Sequence, residues 1–228
     1  MVMAEATNHY FKHLGVSDGL SQVCIPSIYQ DELGAVWLGT TEGLNRYNGK
    51  DVKVFQPSES NNGLTNNEVN ELCGDKNGRM YIRSGNDLIK LDIYTEQFTC
   101  LRQKGVYGLF CKKDTLWVSC ADGIYYYTGQ GTELTFFARV QKGFVGRALY
   151  VDKETVWVVT RKYLVAISRE DPLRQEILLT LDKGNCILGD SSGNIWVGAW
   201  NGLYRISPDR ETTAYVSHSG MGELSDNQ

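Results

Sequence analysis

The chain has 228 residues, 42% of them hydrophobic, and a net charge of -4 spread without basic runs. These values fit an all-β domain with a sizeable core and give no electrostatic footprint for nucleic acid or an anionic membrane surface. No run of 18 apolar residues occurs, so this stretch is expected to make no direct membrane insertion. Four prolines against 24 glycines, with 13 tyrosines, suit many short strands joined by tight turns. The six cysteines, at 24, 73, 100, 111, 120 and 186, show no C-x-x-C spacing and no neighbouring histidine, which argues against a zinc site. An even count would allow disulfides in an exported protein, but most fall in strand-like runs, and buried free thiols are the expected reading.

In chain order, residues 1–7 include MVMAEA and read as a signal-peptide remnant or a disordered start. Residues 10–14 read as an outer strand without its blade, followed by the connection Asp18-Gly19-Leu20-Ser21. The first complete unit, residues 22–57, has an innermost strand Val23 to Tyr29 and a turn Asp31-Glu32-Leu33-Gly34. Its second strand is Ala35 to Gly39, its third Leu44 to Tyr47 and its outer strand Val52 to Phe55. Residues 67–101 repeat the plan with Asp75-Lys76-Asn77-Gly78 as the turn. Units 105–138 and 144–180 lack that glycine, so their first turns must be built differently, while their second strands survive around Trp117 and Trp157. The unit at 184–217 restores the pattern as Asp190-Ser191-Ser192-Gly193 followed by NIWVGAWNGLYRI. In these turns glycine supplies a positive φ and the aspartate accepts backbone N–H groups ahead of it, which assigns the repeated aspartates to structure.

Trp37, Tyr81, Trp117, Trp157 and Trp196 share one slot, spaced 44, 36, 40 and 39 residues apart. A period near 40 with four strands per unit predicts propeller blades, whereas a parallel β-helix or a leucine-rich solenoid would repeat at about half that length. The expected fold is an all-β propeller of five four-stranded blades, with the orphan strand at 10–14 and a linker at 218–228 toward a missing blade. The chain reads as a truncated part of a larger, seven-bladed type of propeller. Its open flanks are expected to be covered by a second copy, by swapped strands or by closure into an irregular ring.

The run GLTNNEVNEL, Gly63 to Leu72, the turn Asp75-x-x-Gly78, and Trp37-Leu38-Gly39-Thr40-x-x-Gly43-Leu44-x-Arg46-Tyr47 resemble the two-component regulator propeller repeat. The resemblance covers about Tyr10 to Gln228; the units around Trp117 and Trp157 depart from it at their first turns. It implies the periplasmic sensor region of a hybrid two-component system of the Bacteroides type. The missing parts of such a chain would be further propeller, a β-sandwich, a membrane helix and a histidine kinase. Polysaccharide-derived oligosaccharides are the implied class of signal, with a scaffold or dimerisation propeller as the alternative and a homodimer as the expected assembly.

The turns between second and third strands and the connections between blades should open on one face around the channel, where propellers bind. That face supplies the candidate ligand residues Arg83, Asn86, Arg161, Trp200 and Asn201; Arg83 with Arg161 would suit a carboxylate. The tryptophans of the common slot are assigned to packing between blades. No cofactor or metal is expected. His9 and His13 flank an outer strand, where a spacing of four does not bring them together, and no nucleophile motif occurs. A propeller lactonase or lyase is the remaining enzyme reading.

Overall fold

The computed structural model describes residues 13–57 and 63–215. The predicted pieces at 1–7 and 218–228 lie outside the described residues. So does most of the strand predicted at 10–14, of which His13 and Leu14 are described and belong to no strand.

Among the described residues, twenty strands form five four-stranded antiparallel sheets. Blade one is β1 (Ser27–Gln30), β2 (Val36–Thr40), β3 (Gly43–Tyr47) and β4 (Val52–Phe55). Blade two is β5 (Val69–Gly74), β6 (Arg79–Ser84), β7 (Asp87–Asp92) and β8 (Gln97–Arg102). Blade three is β9 (Val106–Lys112), β10 (Thr115–Cys120), β11 (Gly123–Tyr127) and β12 (Thr135–Ala138). Blade four is β13 (Gly146–Val151), β14 (Thr155–Thr160), β15 (Tyr163–Ser168) and β16 (Gln175–Thr180). Blade five is β17 (Cys186–Gly189), β18 (Ile195–Ala199), β19 (Gly202–Ile206) and β20 (Thr212–Tyr215). The innermost strands β1, β5, β9, β13 and β17 pack in succession, and all five border one central cavity of about 690 Å³. This is a β-propeller arrangement.

Strand alternation gives each sheet two apolar faces, and neighbouring blades bury them against each other. Trp37 packs with Val69, Met80 and Ile82 between blades one and two, and Tyr81 with Leu109, Val118 and Tyr127 between two and three. Trp117 with Val156 and Val158 joins three to four, and Trp157 with Ile195 and Val197 joins four to five. Trp37, Tyr81, Trp117 and Trp157 of the common slot therefore pack between blades, while Trp196 stacks on Tyr215 of its own sheet with ring centroids 5.9 Å apart.

The first turn of a blade also anchors that slot. The Asp31 carboxylate accepts the Leu33 and Ala35 backbone N–H groups and, at 2.7 Å, the indole Nε1–H of Trp37. Asp190 does the same for Ser192, Asn194 and, at 2.9 Å, Trp196. Blade four keeps the indole bond, Asp152 to Trp157 at 2.6 Å, on a shorter turn in which the Asp152 N–H donates to Thr155. Blade two has Tyr81 in the slot, and there Arg79 pairs with Asp75 instead. Blade three turns on Lys113 and Asp114 alone, with Lys113 at φ 50°, and Trp117 rests edge-on against Phe137 at 5.0 Å. The missing glycines thus correspond to turns shortened until a single residue, or none, takes a positive φ.

Two expectations need correction. β1 starts at Ser27 rather than Val23, because Ser27 pairs with Gly39 and β2 ends one residue later at Thr40, leaving Val23 to Ile25 no partner, while Pro26 has no N–H to give. The cysteines are free, but only Cys120 is buried; Cys24, Cys100 and Cys186 are exposed, and Cys73 and Cys111 are half-buried. They sit on inner strands beside the channel, on outer strands, or just before a strand, where alternation does not guarantee a covered face. The Gly19-Leu20-Ser21 connection does match Gly63-Leu64-Thr65: Leu20 and Leu64 are both buried at the hairpin ends, and Ser21 N–H donates to Asn45 at 2.9 Å.

Replacing Asp31 by alanine strands a buried indole N–H and two backbone donors. The expected loss is about 2–4 kcal/mol in urea unfolding, against less than about 0.5 kcal/mol for Asp114→Ala, whose carboxylate is exposed and holds no indole. The Asp190 carboxyl is held down to about 2, chiefly by the Trp196 indole and the Asn194 amide. Its folded value lies below that of an unfolded chain, so its stabilisation is complete above about pH 4 and is lost as pH falls through 2. Carboxyl titration by NMR should show this, and Asp190→Asn should flatten stability across that window.

Candidate functional site

The hairpins between second and third strands are two-residue turns: Thr41-Glu42, Gly85-Asn86, Ala121-Asp122, Arg161-Lys162 and Trp200-Asn201. Backbone bonds tie them to the connections between blades. Gly43 N–H donates to Asn67 at 2.7 Å, Val106 to Asn86 at 3.0 Å, Gly184 to Arg161 at 3.1 Å and Trp200 to Asp182 at 2.9 Å. The rim of this face is therefore a fastened scaffold on which side chains can be held in place.

The inner strands of three successive blades carry a bulge at one equivalent position. Register skips Asn70 in β5, Tyr107 in β9 and Arg147 in β13, and all three residues line the central channel. A bulge leaves its extra residue out of the ladder and re-aims its side chain. Gly108 makes this close packing possible beside Arg147, because a Cβ there would lie 2.6 Å from the Arg147 carbonyl oxygen.

Arg147 also borders two smaller cavities opening on the same face. One, about 390 Å³, has walls of Tyr107, Phe144 and Arg161; the other, about 150 Å³, lies among Arg161, Lys183, Asn185 and Trp200. No carboxylate lines either of them. Arg147 and Arg161 make no side-chain hydrogen bond or ion pair among the described residues, so their guanidinium groups are available to an anion. The Lys183 ammonium stands 3.4 Å over the Trp200 ring, which keeps 46% of its surface exposed.

The sequence candidates divide. Arg161 and Trp200 meet in the smaller cavity. Arg83 and Asn86 line the channel, with Arg83 already bonded to Glu71 at 3.3 Å. Burial pushes the Glu71 carboxyl up, against the charge of Arg83. Arg83 borders the central channel, whereas Arg161 shares both smaller cavities with Arg147. The Asn201 carbonyl accepts the Asp182 N–H at 3.0 Å and serves the loop. Sequence reasoning misses Arg147, Tyr107 and Lys183; the available signal was their place at or just before the start of an inner strand, but bulges cannot be read from residue type. Among the described residues no three His, Cys, Asp or Glu side chains are grouped to hold a metal ion, and no helix is long and apolar enough to cross a membrane.

The family model described as two-component regulator propeller matches residues 19–42, from the Gly19 connection through β2. Over that stretch the chain is similar to the two-component regulator propeller repeat. Histidine kinase P4 of Formosa agariphila is 40% identical to this chain over 53 residues, which is 23% of the chain and 4% of the kinase. The extracellular domain of a protein described as a hybrid two-component system of B. thetaiotaomicron superposes with a TM-score of 0.77 at 22% identity, over 95% of this chain and 33% of that one. A streptogramin B lyase superposes with a TM-score of 0.67 at 17% identity, over 90% of this chain and 74% of that one. At such identities these likenesses speak for the fold alone. The chain spans about a third of the solved extracellular domain and a small fraction of the kinase.

Proposed function

We propose that this chain is part of a periplasmic sensor region of a two-component system, and that it contacts a polysaccharide-derived oligosaccharide at the channel mouth between blades three, four and five. The observation that carries the reading is the bulge repeated in three blades, which places Asn70, Tyr107 and Arg147 at one level of the channel. The aromatic and amide groups suit sugar faces and hydroxyls, while Arg147 and Arg161 suit a carboxylate on the sugar. The family and the extracellular placement of the superposed two-component domain support the sensor role. In the whole protein the kinase would carry the catalysis.

Calorimetry with neutral and uronate-bearing oligosaccharides tests the site. The acidic ligands should bind more tightly, and Arg147→Ala or Arg161→Ala should each weaken them about tenfold or more, with smaller losses for neutral ligands. Heat from a longer sensor region but none from this chain would place the ligand elsewhere.

A second reading, a dimerisation scaffold, is favoured by the outer flanks. Ile28 on β1 is 63% exposed and Leu188 on β17 is 65% exposed, each on the face opposite the one its neighbour Tyr29 or Ile187 packs into the core. Four apolar clusters join the five blades in sequence, and among the described residues none of them joins blade five to blade one. A second copy covering these flanks should appear as a dimer in light scattering and dissociate in the Ile28→Ser, Leu188→Ser double variant. A monomer in both cases would discard it.

A further inference from the structure

We propose that Cys73 and Cys111 are a disulfide-forming pair that staples blade two to blade three along the channel wall. Cys73 is on β5 and Cys111 on β9, the adjacent innermost strands, and their Sγ atoms lie 2.9 Å apart. A disulfide spans about 2.05 Å, so loss of the two thiol hydrogens and a shift of about 0.9 Å would form it. Alternation along β5 turns Leu72 toward blade one and Cys73 toward blade three, while β9 turns Leu109 and Cys111 back toward blade two. The two thiols therefore meet inside one packed interface, at the edge of the cluster holding Tyr81, Leu88 and Tyr127. Of the remaining four cysteines, three are exposed and Cys120 is buried, and none has a sulfur partner among the described residues.

The oxidant is a small-molecule or catalyst disulfide. One protein thiolate attacks it and expels the first small thiolate, giving a mixed disulfide. The second protein thiolate then attacks the protein-side sulfur and expels the other small thiol, so two electrons pass to the oxidant and both protons end on the released thiols. Burial pushes the Cys73 thiol well up, with the nearby Cys111 adding to it, so the folded pair reacts slowly and the bond forms best as the chain folds. Once made, it closes a loop of 38 residues and holds Glu71 and Leu109 at a set spacing beside the channel. The inference is independent of any ligand and stands or falls without affecting the sensor reading.

The test is refolding from urea in a mixture of oxidised and reduced glutathione, followed by alkylation and peptide mapping under non-reducing conditions. The expected result is a Cys73–Cys111 linked peptide pair with the other four cysteines alkylated, and a melting temperature about 10 °C higher than in dithiothreitol. The Cys73→Ser, Cys111→Ser double variant should melt at one temperature with or without reductant. Both cysteines alkylated after refolding, or either one linked to a different cysteine, would overturn the proposal.

Discussion

The structure depends on a carboxylate that ties a turn to an indole. In blades one, four and five one aspartate accepts both the backbone donors of the first turn and the N–H of the slot tryptophan, which in blades one and four fills the gap to the next sheet. Each sheet is too small to hide two apolar faces by itself, so its stability is borrowed from its neighbours. A buried indole brings the largest apolar surface available to that gap but carries a polar N–H, and the aspartate removes the cost of leaving it unpaired. The blade that loses the indole recruits Arg79 for the equivalent carboxylate, and among the described residues its buried Tyr81 hydroxyl has no hydrogen-bond partner.

With one end of three blades secured in this way, the other end is free to vary. There backbone bonds fasten the two-residue hairpins, and several side chains, such as those of Arg161 and Trp200, are left unused by the fold, while Asp122 and Asn201 bond within it. The result is a rim whose chemistry differs from blade to blade on a common frame: Asn86 on blade two, Arg161 on blade four and Trp200 on blade five. The bulges in β5, β9 and β13 extend that variation into the channel. Cationic and aromatic groups then gather between blades three and five without a carboxylate to neutralise them in the smaller cavities.

The inner strands have a second role. They are short, they face water on the channel side, and their outward neighbours supply the packing. Small changes there alter the distance between blades, which is why glycines such as Gly108 accept a neighbouring backbone where any side chain would collide. The Cys73 and Cys111 thiols occupy an equivalent cross-blade contact between blades two and three.

The amino-acid sequence determined the repeat and the strand order, because a period near 40, alternation of apolar residues and the Asp-to-Gly turns are local properties that survive in one dimension. It also marked Arg161 and Trp200, since a turn between two strands is recognisable from its flanks. It did not reveal the aspartate–indole bond, which needs a turn geometry that brings residues five or six apart into contact, nor the exposure of most cysteines. Only the tertiary structure decided which side chains share the channel. The succession of blades around the channel brings Asn70, Tyr107 and Arg147 from separate sheets to one cavity, and a bulge shifts each out of the alternation from which its direction would have been read.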